Sequence, residues 1–387
     1  MKKRFLVLST GFALFSMFFG SGNLVFPLLV GQQSGGHFLL GALGIILTGV
    51  LVPFLGSLGI MLYEGSRKNF FSSLGSIGTF IFSLIALSLM GPFGVMPRCL
   101  TVAHGAIQTL LPSASLVLTS LIFCGFIYLM IVNKNKVVPL LGSVLTPLLL
   151  AAIAAIAFFS VRDSSSVSLV KEASLLHGTG GWDAFKNGFI QGYQTLDLLA
   201  AFFFSAFIID HLKSVKTQDV CGSKLFLRSA LIGAGILSGV YLVLVLLGSL
   251  YAPLLQGALP QQMLGKIAIK SLGSFGAPVL CVLVVLACFT TAIVLVSLFA
   301  EFLRKEIFKE KIESRLSILI TLGIGFLVSI LGFGGIAKIL GPVVEVIYPA
   351  LIVMTVVNIG HKCWGLKNSH WPITFTLAAK IGLLRFI

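Results

Sequence analysis

Acidic residues are scarce in this sequence. Asp and Glu number 12 among 387 residues, and charged residues of both signs make up only 10%. A soluble domain carries about 25% charge, so a water-exposed globule is excluded. Cysteine is scarce too. Cys99, Cys124, Cys221, Cys281, Cys288 and Cys363 contain no CxxC pair. Most fall in apolar runs, where a thiol packs as a small hydrophobe, so neither disulfides nor a metal cluster is expected. Alternating ten-residue segments of the membrane-barrel kind are missing. So are paired carboxylates, HExxH, a nucleophile at motif spacing from a base and a phosphate loop. Those absences weigh against a membrane enzyme built on Asp197, His104 and Asp210.

What is present is apolar. The chain is 57% hydrophobic, and apolar runs of roughly 20 residues recur along its length, the mark of an all-α polytopic membrane protein. The runs read as about eleven transmembrane helices: 5–31, 38–63, 76–110, 114–132, 137–160, 185–211, 225–252, 275–302, 315–332, 335–359 and 371–387. The third is long and is expected to kink at Pro92 and Pro97. The net charge of +15 could mark a nucleic-acid partner. In a membrane chain it is better read as Lys and Arg gathered in cytoplasmic loops. MKKR, EGSRKN, NKNK, HLKSVKTQDVCGSKLFLR, RKEIFKEKIESR and HKCWGLK alternate with QQSGGH and LLPSAS. That pattern puts the N-terminus in the cytoplasm, in an integral protein of the plasma (inner) membrane, and an odd helix count puts the C-terminus outside. The first 22 residues also have the outline of a signal peptide, but the apolar run continues through LVFPLLVG and is long enough to span. Segment 253–274 is too polar to span and reads as short helices over an outer vestibule.

Two stretches do not fit a plain membrane helix. Residues 18–27 read FFGSGNLVFP, with Gly20, Ser21, Gly22 and Asn23 at the centre of the first run. A helix interrupted there frees N–H and C=O groups that lipid cannot satisfy, so a break survives only inside protein or beside a watery cavity. The freed N–H groups attract an anion and the freed carbonyls a cation. The other reading is a glycine-mediated helix contact, but that asks for helical spacing rather than a GSG cluster followed by a turn-favouring Asn. The sixth run holds a second polar island, Gly192-Tyr193-Gln194-Thr195-Leu196-Asp197. Asp197 is an intramembrane carboxylate, a functional group by default. It or Thr195 could equally cap the half-helix that starts there. Interrupted helices at corresponding places in two halves point to a secondary transporter with inverted repeats.

The residues also carry a resemblance. GFALFSMFFGSGNLVFP resembles the first helix of the branched-chain amino acid:cation symporter family. MGPFGVMPR resembles its third-helix GP…PR motif, GYQTLDLLAAFFF its sixth-helix motif, and PVVEVIYPALIV its tenth. The likeness runs in order over nearly the whole chain. It implies a leucine-transporter-like (LeuT-type) fold of five plus five inverted helices. The ten-helix core would cover residues 1–359, with repeats over about 1–160 and 185–359, and 360–387 would form a peripheral eleventh helix. It implies import of leucine, isoleucine and valine with sodium or protons, the alternative being another neutral or aromatic amino acid. It places the substrate carboxylate at the N–H groups of Ser21 and Gly22, next to Gly20 and Asn23, with Tyr193, Gln194 and Thr195 facing the same cavity. Asp197 would meet the substrate ammonium or tune a cation site. Thr290 and Thr291 would ligate sodium with the carbonyls of Ala287, Ser16 and Phe19. On the residues alone, the two hydroxyls could instead bond back to their own helix.

The chain departs from the family in two places. The third-helix motif usually continues to an acidic residue, where His104-Gly105 stand here. Twelve helices are usual, and the twelfth would lie outside the ten-helix core. Arg98 in helix three and Glu345 in helix ten can pair or serve a gate. His104 reads as structural, and Glu64, Asp210, His211 and Glu301 as snorkelling groups near inner helix ends. The partners expected are a small neutral amino acid and the lipid bilayer, with no nucleic acid and no cofactor beyond the coupling ion. The oligomeric state is left open.

Overall fold

A computed structural model describes residues 2–132, 137–162, 180–214 and 222–364. Regular structure among the described residues is helical. The first run forms α1 (Lys2–Phe18) and α2 (Ser21–Gln33), bent by 73° where they meet. The second forms α3 (Phe38–Ile46) and α4 (Val52–Leu62), joined by a π turn at Leu47–Leu51. A short α5 (Arg67–Phe70) leads to α6 (Gly75–Met90) and α7 (Val95–Leu110). Then come α8 (Leu116–Val132) and α9 (Val137–Arg162). The sixth run forms α10 (Gly181–Gln194) and α11 (Asp197–Ser214). The remainder is α12 (Gly222–Leu250), a short α13 (Ala252–Leu255), α14 (Met263–Phe302), α15 (Ser314–Ser329) and α16 (Gly332–Trp364). The expected eleventh helix at 371–387 and Cys221 lie outside the described residues, as do the side chains of Asp210 and His211.

The spans at 35–62, 72–110, 224–250, 276–307 and 332–364 are long and apolar enough to cross a membrane. Their outward faces expose Leu39, Leu43, Ile77, Leu231, Val279 and Ile339, as suits lipid rather than water. The third run is interrupted once, at Gly91–Gly94 around Pro92. Pro97 does not kink it. It sits in the first turn of α7, where a missing N–H leaves no bond unmade. The polar segment after α12 is α13, a 3-10 turn at Pro260–Gln262 and the start of α14. Gly273 (φ 67) then interrupts α14 before its apolar part.

Small residues set how closely the helices approach. A Cβ on Gly188 of α10 would strike the carbonyl oxygen of Gly41 in α3. One on Gly31 of α2 would strike that of Val245 in α12. In lipid, where apolar surface gains little from helix association, such backbone-to-backbone contact holds helices together. Thr48 adds a polar tie, donating to the Phe189 carbonyl at 2.7 Å. These contacts tie each interrupted run to the helix beside it. Below them an aromatic cluster of Phe70, Phe71, Phe82 and Phe202 joins α5, α6 and α11. Asn358 of α16 pins that cluster by donating to the Phe70 carbonyl at 2.9 Å.

Candidate functional site

The site grows from the first interruption. Gly20 is extended (φ −122, ψ −164) and separates α1 from α2. Its N–H donates to Asn23 Oδ1 at 3.2 Å, and that bond fixes which way the Asn23 amide faces. Nδ2 must then point away, and it donates to Asp197 Oδ2 at 2.7 Å and to Tyr241 Oη at 2.8 Å. Tyr241 in turn donates to Asp197 Oδ2 at 3.3 Å. All three side chains are buried. One closed triangle of hydrogen bonds therefore ties α2, α11 and α12 together.

The second interruption has its own geometry. Leu196 adopts a left-handed conformation (φ 62) between α10 and α11. The turn makes Asp197 the first residue of α11, where the positive helix end favours a carboxylate. Thr195 donates to the Gly192 carbonyl at 2.9 Å. At the end of α10, Arg98 Nη1 donates to the Gln194 carbonyl at 2.6 Å and Nη2 to Gln194 Oε1 at 3.2 Å. Arg98 is turned to Gln194 rather than to Glu345, as the pairing reading had it. Tyr193 packs on Tyr348 of α16, ring centroids 5.1 Å apart.

Helix α14 meets the first interruption from the other side. A Cβ on Gly20 would lie 3.3 Å from Thr291 Cγ2 and 3.7 Å from its Oγ1. A Cβ on Gly22 would lie 3.3 Å from the Thr195 Cα. Glycine at both positions lets the two interruptions and α14 touch. Thr290 and Thr291 each donate to the Ala287 carbonyl at 3.0 Å, the back-bonded arrangement. A hydroxyl that spends its proton in this way still offers oxygen lone pairs. Cys99 of α7 donates to Ser21 Oγ at 3.5 Å. At the end of α1, Phe19 donates its N–H to the Phe15 carbonyl at 2.9 Å, and Ser16 is half-buried one turn back.

So Gly20, Ser21, Gly22, Asn23, Thr195, Asp197 and Thr291 gather in one place, with Gln194 beside them. Tyr193 stands one layer away against Tyr348. Sequence reasoning missed Tyr241, because a lone Tyr in an apolar span reads as core. Its hydroxyl was the available signal, since a buried Tyr O–H needs a partner. His104 bonds Thr119 through Nδ1 at 2.9 Å, a structural role, and Glu301 pairs with Lys305 at 2.7 Å on the surface.

Interrupted helices packed inside an apolar bundle point to a membrane transporter, and solved structures share the fold. The chain is similar to the inward-facing conformation of Mhp1 (TM-score 0.64, 15% identity, 92% of this chain and 77% of that one). It is also similar to MhsT in complex with L-phenylalanine (TM-score 0.62, 16% identity, 97% of each chain). At those identities the likeness concerns the fold, which is leucine-transporter-like. The family model described as "Branched-chain amino acid transport protein" matches residues 3–387. Branched-chain amino acid carrier proteins of Staphylococcus aureus strains USA300 and MRSA252 are each 29% identical, over 97% of this chain and 88% of theirs. This chain belongs to the branched-chain amino acid transport protein family. It is an integral membrane protein and a secondary transporter.

Proposed function

We propose that the protein imports leucine, isoleucine and valine by symport with sodium, through alternating access. The observation that carries this is the meeting of Gly20, Thr291 and the second interruption within van der Waals reach. The N–H groups at the start of α2 have no partner inside their own helix and suit the substrate carboxylate. Ser21, Gly22 and Asn23 supply them, and Gly20 lets the ligand approach. Gln194 and Thr195 line the same place at the end of α10, with Tyr193 one layer behind them. The sodium ion takes the Thr290 and Thr291 hydroxyl oxygens and the carbonyls of Ala287, Ser16 and Phe19. Neutral oxygens suit a monovalent cation, and carbonyls at an interrupted helix are the usual donors.

Asp197 is assigned a positioning role. Its oxygen is engaged by Asn23 and Tyr241, so it orients the substrate-facing Asn23. The two repeats, about 1–160 and 185–359, would rock around this point, with the N-terminus in the cytoplasm. Selectivity among the three substrates would be modest, because one methylene is worth only about 1–3 kcal/mol in a pocket. A second reading has one observation behind it. Asp197 is 3% exposed and its hydrogen-bond partners are neutral, so a proton carried there could replace sodium.

The test is radiolabelled leucine uptake into proteoliposomes under a sodium gradient and, separately, a proton gradient. Sodium-driven uptake that falls at least tenfold in Thr291→Ala supports the reading. Uptake driven by protons alone and untouched by Thr291→Ala overturns the sodium site and favours Asp197. A competing excess of isoleucine or valine is expected to suppress uptake, and an aromatic amino acid is not.

A further inference from the structure

Arg98 is a buried cation, 1% exposed, in the middle of a membrane bundle. No carboxylate lies within ion-pair distance of it among the described residues. A buried charge without compensation is strongly unfavourable, so its surroundings must supply that compensation. Four groups do. Nη1 holds the Gln194 carbonyl at 2.6 Å and Nη2 the Gln194 side-chain oxygen at 3.2 Å. The guanidinium also lies over the Phe26 ring at 5.2 Å and the Phe333 ring at 5.8 Å, and aromatic faces attract cations.

Gln194 is the last residue of α10. Its carbonyl belongs to the negative end of that half-helix, where an interrupted membrane helix would otherwise draw a metal cation. The other side of the same interruption begins with Asp197, a carboxylate at a positive helix end. Both dipole ends of the second interruption are thus compensated by the chain's own side chains. The first interruption differs. At its carbonyl end, Gly20 faces the Thr291 hydroxyl and the Asn23 amide, both neutral.

We propose that Arg98 is a built-in cation at the carbonyl end of the second interruption, so that each cycle takes up a coupling cation only at the first, one per amino acid. This makes Arg98 a positioning residue that substitutes for an ion. Arg is suited to that task because it stays charged and its planar fork reaches two oxygens of one residue at once. The inference rests on the transport reading above, but not on which cation drives it.

The experiment is the reversal potential of leucine flux in proteoliposomes, read for whichever of sodium or protons drives uptake. A ratio of one cation per leucine is expected, and a ratio of two overturns the proposal. Arg98→Ala is expected to lose uptake at least tenfold and to regain part of it with added guanidinium, which fits the vacated space. Unchanged uptake overturns the proposal, and so does a loss in folded protein that guanidinium does not restore. If Arg98→Ala does not fold, Arg98→Lys decides. It keeps the charge and is expected to keep the ratio of one at a lower rate, and a changed ratio contradicts the proposal. If the wild type moves no leucine, the proposed function has failed. Arg98 is then judged by thermal unfolding of Arg98→Ala, where stabilisation by guanidinium supports the role and no effect contradicts it.

Discussion

Asp197, Asn23 and Tyr241 depend on one another in a way that can be measured. Removing the carboxylate with Asp197→Ala strands an Asn23 N–H and the Tyr241 O–H in a buried place, at about 1–3 kcal/mol for each unsatisfied group. Tyr241→Phe removes the hydroxyl and leaves one Asn23 N–H without its acceptor, so it is expected to cost less. The two changes share a partner, so the double variant is expected to lose less than the sum, with a coupling of about 0.5–3 kcal/mol. Thermal unfolding of the purified variants in detergent measures this, and additivity would mean the triangle does not act as a unit. Parts of this network were legible in the sequence. Gly20 to Asn23 and Asp197 announce themselves, because polar and small residues at mid-membrane demand a reason. Tyr241 and the Arg98–Gln194 contact were not legible. Arg98 lies 96 positions from Gln194, and Tyr241 lies 44 from Asp197 and 218 from Asn23, and no local pattern encodes which hydroxyl meets which carboxylate.

At the scale of elements, the bundle is held by close backbone approach. Gly31 of α2 packs on the Val245 carbonyl of α12, and a Cβ there would overlap it. Gly31→Ala must therefore push the two helices apart. It is expected to destabilise by about 1–3 kcal/mol, the usual cost of overpacking, and to lower uptake because α2 carries the first interruption. Gly323 of α15 is the matching control, since a Cβ there meets nothing within 4 Å. Gly323→Ala is expected to be neutral or to stabilise by up to about 1 kcal/mol, the ordinary gain of alanine over glycine in a helix. Unfolding temperatures of the two variants, measured side by side, check the contrast. Hydropathy located most of these elements to within a few residues, because twenty apolar residues in a row have few alternatives. In the third run the interruption falls at Pro92 as expected, but not at Pro97, because the effect of a proline depends on whether its position would have used an N–H. The π turn at Leu47–Leu51 had no sequence signal, since Thr48 makes its tie to α10 through tertiary packing.

For the whole molecule, the proposed function would have two ligands share one interruption. Sodium at the carbonyl end of α1 and the substrate carboxylate at the start of α2 would lie within a few residues of each other. Each should then strengthen the other's binding. Couplings of this kind are about 1–3 kcal/mol, or 5- to 150-fold in affinity, and they are reciprocal. That coupling is what would let a sodium gradient drive leucine against its own. It requires Thr291 to stand where it does, beside Gly20. The fold places the parts at the centre of the bundle, and the family concerns branched-chain amino acids. The direct link between the two would be the energy shared by ion and substrate.

The decisive measurement is the leucine dissociation constant of the purified protein in sodium and in potassium at equal ionic strength. The account predicts at least fivefold tighter binding in sodium, with the difference lost in Thr291→Ala. Equal affinity in the two salts for the wild type would contradict it.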